Sequence, residues 1–180
     1  MSLYEEGAAT GPDAAAEVAE EAHRRLETLF DDHHRWLWRL ALRMTSDPEA
    51  ARDLVQETFL RAARHIDRIP RDTGGPWLGR ALVNLCRDRF RRLDVRDRAE
   101  PQQRALTPPE PDQEAALVAR LTVEKAVASL PPRRRAVLVL CELEGREVAD
   151  VATLLGVQQV TVRWHLMAAR RQLRKWLEDE

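Results

Sequence analysis

The stretch VATLLGVQQVTVRWHLMAARRQLRK, Val151 to Lys175, decides the fold. Val148, Val151, Ala152 and Leu155 recur at helical spacing and stop at Gly156, the residue type best suited to end a helix. Beyond it, Val162, Leu166, Ala169, Leu173 and Trp176 mark the buried side of a longer helix. One residue on lies a second stripe: Arg163, Met167, Arg170 and Arg174. A step of one residue turns an α-helix by about 100°, so this stripe stands beside the buried one and faces solvent. A short helix, a glycine turn and a basic second helix make a helix-turn-helix, whose second member has the width to enter a DNA major groove. Thr161, Arg163, Trp164 and Met167 then lie nearest base edges, with Gln158 and Gln159 just before them. Arg170, Arg171, Arg174 and Lys175 suit phosphates. The plainer reading is a solvated basic face whose cations suit the negative end of the helix dipole. No acid falls between Thr161 and Lys175, which favours the polyanion.

The remaining composition agrees with a helical protein. Of 180 residues, 33% are charged and 5% aromatic, and seven glycines are too few for a turn-rich β fold. No strand-like alternation appears, so the expected class is all-α. The formal net charge is −1, unevenly spread. Residues 1–23 contain acids but no Lys or Arg, whereas the region around Arg80–Arg98 and the last helix are basic. Local basic stripes in a neutral chain imply directed contact with a polyanion, and the acids imply weak binding without help. No stretch approaches the length of a membrane span, and the N-terminus lacks the basic-then-apolar order of a signal peptide. A cytoplasmic protein without membrane insertion is expected. Cys86 and Cys141 stand alone, as buried small residues rather than a disulfide or metal pair.

Residues 94–113, with Pro101, Pro108, Pro109 and Pro111, read as a flexible linker between two helical units. The expected division is an acidic extension over 1–23, disordered or weakly helical; a first unit over 24–93; and a second over 114–180. In the first unit, Leu26, Leu29, Phe30, His33, Leu37, Leu40 and Met44 fall on one helix face, and Asp47-Pro48 starts the next helix. Residues 69–76 read as a loop, followed by a helix from Trp77. In the second unit, Pro131-Pro132 separates a helix over 114–130 from one over 133–143.

The helix from Trp77 carries a second stripe: Trp77, Arg80, Asn84, Arg87 and Arg91. An aromatic, an amide and guanidiniums on one face suit unstacked bases beside a phosphate backbone. The alternative is a core tryptophan with solvated arginines. Asp53, Gln56, Glu57 and Arg64 edge another helix, either solvated or a docking face. The DDHH run at residues 31–34 lacks metal-ligand spacing, and His33 falls on an apolar stripe. A metal-dependent enzyme built on His33 and His34 is therefore the weakest reading. No phosphate loop or nucleophile elbow is present, so neither catalysis nor a cofactor is expected.

The segments DPEAARDLVQETFLRAARHID, PWLGRALVNLCRDRFRR and SLPPRRRAVLVLCELEGREVADVATLLGVQQVTVRWHLMAARRQLR resemble, in order, the bacterial extracytoplasmic-function sigma factors. The resemblance covers roughly residues 24–177. It implies a region 2-like bundle and a region 4-like helix-turn-helix that bind core RNA polymerase and direct it to promoter DNA. It places Asp53, Leu54, Gln56, Glu57 and Phe59 against the polymerase clamp. The −10 strand would meet the loop after Ile69 and Trp77, Arg80, Asn84, Arg87, Asp88 and Arg91. The −35 duplex would meet Gln158, Gln159, Thr161, Arg163, Trp164, Met167, Arg170, Arg171 and Arg174. It also implies an anti-sigma factor as partner. Trp164 departs from the family pattern of a small residue there, and either faces the groove or packs inward. The competing assignment is a stand-alone helix-turn-helix regulator, binding a palindromic duplex as a dimer.

Overall fold

The computed structural model describes residues 12–97 and 114–178; residues 98–113 of the expected linker lie outside the described residues, as do the first eleven and last two. Among the described residues there are helices and turns but no strand. The helices are α1 (Pro12–Thr45), α2 (Pro48–Arg64), α3 (Gly74–Asp97), α4 (Glu114–Ser129), α5 (Pro132–Leu138), α6 (Val148–Leu155) and α7 (Gln159–Glu178). Two 3₁₀ turns join α2 to α3, and α5 widens into a π turn over Val139–Leu143. The break between α1 and α2 has the expected chemistry. Asp47 accepts hydrogen bonds from the Glu49 and Ala50 amides, and Pro48 occupies the first turn.

Three boundaries differ from the sequence reading. Residues 12–23, expected to be disordered or weakly helical, form the start of α1. Their acids find partners: Arg24 reaches Glu20 and Glu21, and Arg71 meets Glu21 at 2.9 Å. Arg25 ties the same region to the Ile69 carbonyl at 2.7 Å. Next, α3 starts at Gly74 rather than Trp77, because its first turn closes onto α1. A Cβ on Gly74 would lie 2.3 Å from a Leu29 methyl. Finally, α3 runs to Asp97, into the expected linker.

The larger difference lies between the two units, which the sequence suggests are held apart by a tether. They are docked. α3 packs on α5 and α6, and α1 on α4 and α5. One apolar core runs through both, taking Leu37, Leu40, Leu78 and Leu82 from the first unit and Val137, Leu140, Leu154 and Val162 from the second. Gly79 permits the approach: a Cβ there would stand 2.7 Å from the Trp36 ring and 3.0 Å from a Leu154 methyl. Guanidiniums fasten the seam. Arg135, 6% exposed, donates to the carbonyls of Met44 (2.6 Å), Leu130 (3.3 Å) and Ala128, and lies 4.3 Å from the Phe90 ring centroid. Arg43 donates to the Leu143 carbonyl at 2.9 Å and pairs with Glu144, while Arg146 covers Trp36 at 4.5 Å.

Burial also fixes the state of the thiols. Cys86 is fully buried, and loss of solvation pushes its pKa up to about 12 against the opposing charges of Arg135 and Arg89. Burial likewise raises Cys141, helped by Glu142. Cys86 should therefore carry no thiolate at pH 8 and resist iodoacetamide until guanidinium chloride unfolds the chain. Mass spectrometry of the labelled protein checks this; rapid alkylation of native Cys86 would show a loose core.

Candidate nucleic-acid interface

The helix-turn-helix begins at α6. Gly156 takes the left-handed conformation (φ 66°) that ends α6, and its amide donates back to Ala152 and Thr153. The chain then turns into α7. Val162 and Ala169 are fully buried, which fixes the helix's rotation. Arg163, Trp164, Met167, Arg170, Arg171 and Arg174 are all exposed, as are Gln158 and Gln159; Thr161 is half-buried. Trp164, 52% exposed, faces solvent, which decides between its two possible orientations. Arg163 donates to Gln159 Oε1 at 3.2 Å, and Arg170 pairs with Glu142.

The α3 stripe has a different environment. Trp77 is half-buried, and Arg91 is exposed. Arg80 is committed to the second unit, donating through Nε to the Leu154 carbonyl (2.9 Å) and through Nη2 to that of Thr153 (2.6 Å). Those carbonyls form the negative end of α6, so a guanidinium suited to phosphate finds an acceptable substitute there. Its Cζ lies 3.0 Å from where a Cβ on Gly156 would sit, so a side chain there would crowd the guanidinium as well as strain the left-handed backbone. Asn84 and Arg87 line a seam cavity of about 50 Å³ together with Pro132, Val157 and His165. Burial, reinforced by Arg133 and Arg134, holds His165 below the usual histidine pKa. Arg87 also lies 3.5 Å from Asp88. Arg80 is thus exposed but engaged by α6, and Asn84 and Arg87 are half-buried at the seam.

On α2, Asp53 and Gln56 point outward and Glu57 pairs with Arg61 at 3.0 Å. Leu54 and Phe59 are buried, so neither offers its side chain freely to a partner. Phe59 instead floors an apolar groove with Leu26, Phe30, Trp38, Val55 and Leu60. His34 donates through Nδ1 to the Phe30 carbonyl at 2.8 Å, and His33 meets the edge of Trp36. Among the described residues, no three potential metal ligands cluster.

The order of these parts matches known families. Residues 29–96 match Sigma-70 region 2 and residues 120–173 match Sigma-70, region 4. SigL of Mycobacterium tuberculosis, an ECF RNA polymerase sigma factor, is 37% identical over 92% of this chain and 93% of its own. The chain belongs to the ECF RNA polymerase sigma factors. It is an alternative sigma factor for transcription initiation, without catalysis of its own. Two solved structures share the fold. CnrH in complex with the cytosolic domain of CnrY is 24% identical, with a TM-score of 0.65 over 92% of this chain and 96% of that one. The sigma factor RpoE in complex with the anti-sigma factor NepR, from Bartonella quintana, is 22% identical, with a TM-score of 0.56 over 90% and 97%. In this sigma factor region 2 is built from α1 to α3, and region 4 takes in most of α4 through α7. Among the described residues, no helix is long and apolar enough to cross a membrane.

Sequence reasoning missed the residues of the seam: Arg43, Arg135 and Arg146. One signal for Arg135 was present. Three arginines directly after Pro131-Pro132 open a helix, where the dipole disfavours cations unless they reach away to other acceptors.

Proposed function

We propose that this sigma factor binds core RNA polymerase in the cytoplasm and reads two promoter elements with two faces. α7 reads the −35 duplex; Trp77 and the arginines of α3 hold the opened −10 strand. Asp53, Gln56 and Glu57 on α2 supply the polymerase contact, with the neighbouring apolar groove beside them. The observation that carries this reading is the cationic solvent face of α7, opposite its buried side, in a chain whose other unit carries a second Trp–Asn–Arg stripe. A dimeric stand-alone regulator has no use for the second stripe.

Distance then demands a conformational change. Elements at −10 and −35 lie about 25 base pairs apart, roughly 85 Å at ~3.4 Å per pair. A compact chain of this length measures only about 40 Å across. The α3–α6 seam must therefore open before both faces engage, which frees Arg80 from α6. Polymerase binding supplies the energy. The similar RpoE structure holds an anti-sigma factor, which supports a comparable partner here.

Run-off transcription with purified core polymerase on a promoter library tests this reading. Promoter-selective transcripts are expected. Trp77→Ala should reduce permanganate-detected strand opening by about 5- to 150-fold, the range for one lost base stack, while leaving −35 duplex binding intact. Absence of any sigma-dependent transcript would overturn the assignment.

A further inference from the structure

The exposed face of α7 is not uniformly polar. Val160 (63% exposed), Trp164 (52%) and Met167 (64%) stand in one row at spacings of four and three residues. At about 100° per residue this row lies opposite Val162 and Ala169, the buried side. It therefore contributes nothing to the core. Contiguous apolar side chains of this size on a solvent face mark an interaction site.

The surroundings identify the partner's chemistry. Arg163, Arg170, Arg171 and Arg174 rim the row, and no acid occurs from Gln159 to Lys175; Glu142, from the π turn, approaches only Arg170. An apolar strip flanked by cations on one side and continued by Arg171 complements a groove with apolar groups on its floor and phosphates along its wall. In the DNA major groove, the thymine C5-methyl is such a group. The length also fits. Val160 to Met167 spans about 10 Å of helix, close to three base-pair steps of ~3.4 Å. Trp164 is positioned in advance. Arg134 lies 5.6 Å from its ring centroid and is itself held by Gln172 at 3.0 Å, while His165 packs edge-on at 4.9 Å.

We propose that Val160, Trp164 and Met167 form an apolar reading edge that selects thymine methyl groups on about three consecutive base pairs of the −35 duplex. This rests on α7 as the duplex-reading helix. It adds a specificity that guanidiniums, directed at guanine and phosphate, do not provide.

The test uses the full chain bound to core polymerase. A 30-bp duplex is selected from a random pool, and its thymines are replaced one at a time by deoxyuridine, which lacks only the methyl. Each methyl on the edge should be worth about fourfold in affinity, and removal of three on the order of fiftyfold. Trp164→Ala and Met167→Ala should each lose about fourfold of the thymine-over-uracil preference, and the double variant most of it; both side chains are more than half exposed, and circular dichroism checks that α7 persists. Equal binding of both duplexes by the unsubstituted protein overturns the apolar edge while leaving −35 recognition in place. Equal binding combined with loss of the polymerase complex in Trp164→Ala also overturns it, and assigns the row to a protein. Failure to enrich any sequence would overturn duplex reading by α7 itself.

Discussion

Replacing Arg135 by alanine should lower the unfolding free energy by about 3–5 kcal/mol, measured as a fall in the urea midpoint at unchanged m-value. The guanidinium is 6% exposed and serves three carbonyls at once. Charge-assisted hydrogen bonds contribute about 1.5–3 kcal/mol each, and a buried carbonyl left without a donor costs about 1–3 kcal/mol. Removing the side chain also leaves a void beneath Phe90. Whole domains are stable by only about 5–15 kcal/mol, so the loss is a large share. The acceptors divide the effect. Ala128 and Leu130 belong to Arg135's own unit, whereas Met44 and Phe90 lie across the seam. Arg135→Met fills most of the void but provides no donor, so it should recover only the packing part. A loss below about 1 kcal/mol in the alanine protein would mean that Arg135 does not fasten this core.

The helices were legible because each carries an apolar stripe at its own period, interrupted by Asp47-Pro48, Pro131-Pro132 and Gly156. The same stripe fixed the outward side of α7, since Val162 and Ala169 leave the arginines only one direction to face. The docking of the two units was not legible. It depends on Gly79 meeting Leu154, and on Arg80 meeting the carbonyl end of α6, contacts between residues some 75 positions apart. No periodicity encodes such a pairing. The residue types are also ambiguous: a guanidinium suited to a phosphate is equally suited to a helix C-terminus. That is why the α3 stripe was recognisable as an anion-seeking face while its present partner was not. Trp164 was ambiguous for a related reason, because tryptophan is as common in cores as at interfaces. Its angular position, some 160° from Val162, was available from helix geometry alone and points outward.

Replacing Arg171 and Arg174 together by alanine should weaken −35 duplex binding about thirtyfold at 0.15 M salt. Each phosphate contact releases counterions and adds about 0.9 to the log–log salt slope. Two lost contacts flatten the slope by about 1.8, and extrapolation to 1 M salt gives the thirtyfold figure; at 0.05 M the loss grows to about 200-fold. The comparison belongs on the polymerase complex, where contacts made by polymerase cancel between the two proteins. Base preference should survive, since phosphate contacts position the helix without reading sequence. Arg170 provides the internal contrast. Glu142 already neutralises it, so Arg170→Ala alone should change the slope little. Glu142→Gln releases that guanidinium and should tighten binding about fivefold at 0.15 M. An unchanged slope in the double variant would place the C-terminal half of α7 away from the backbone. The helix would then enter the groove by its first two turns only, with Val160, Arg163, Trp164 and Met167 as its whole contact.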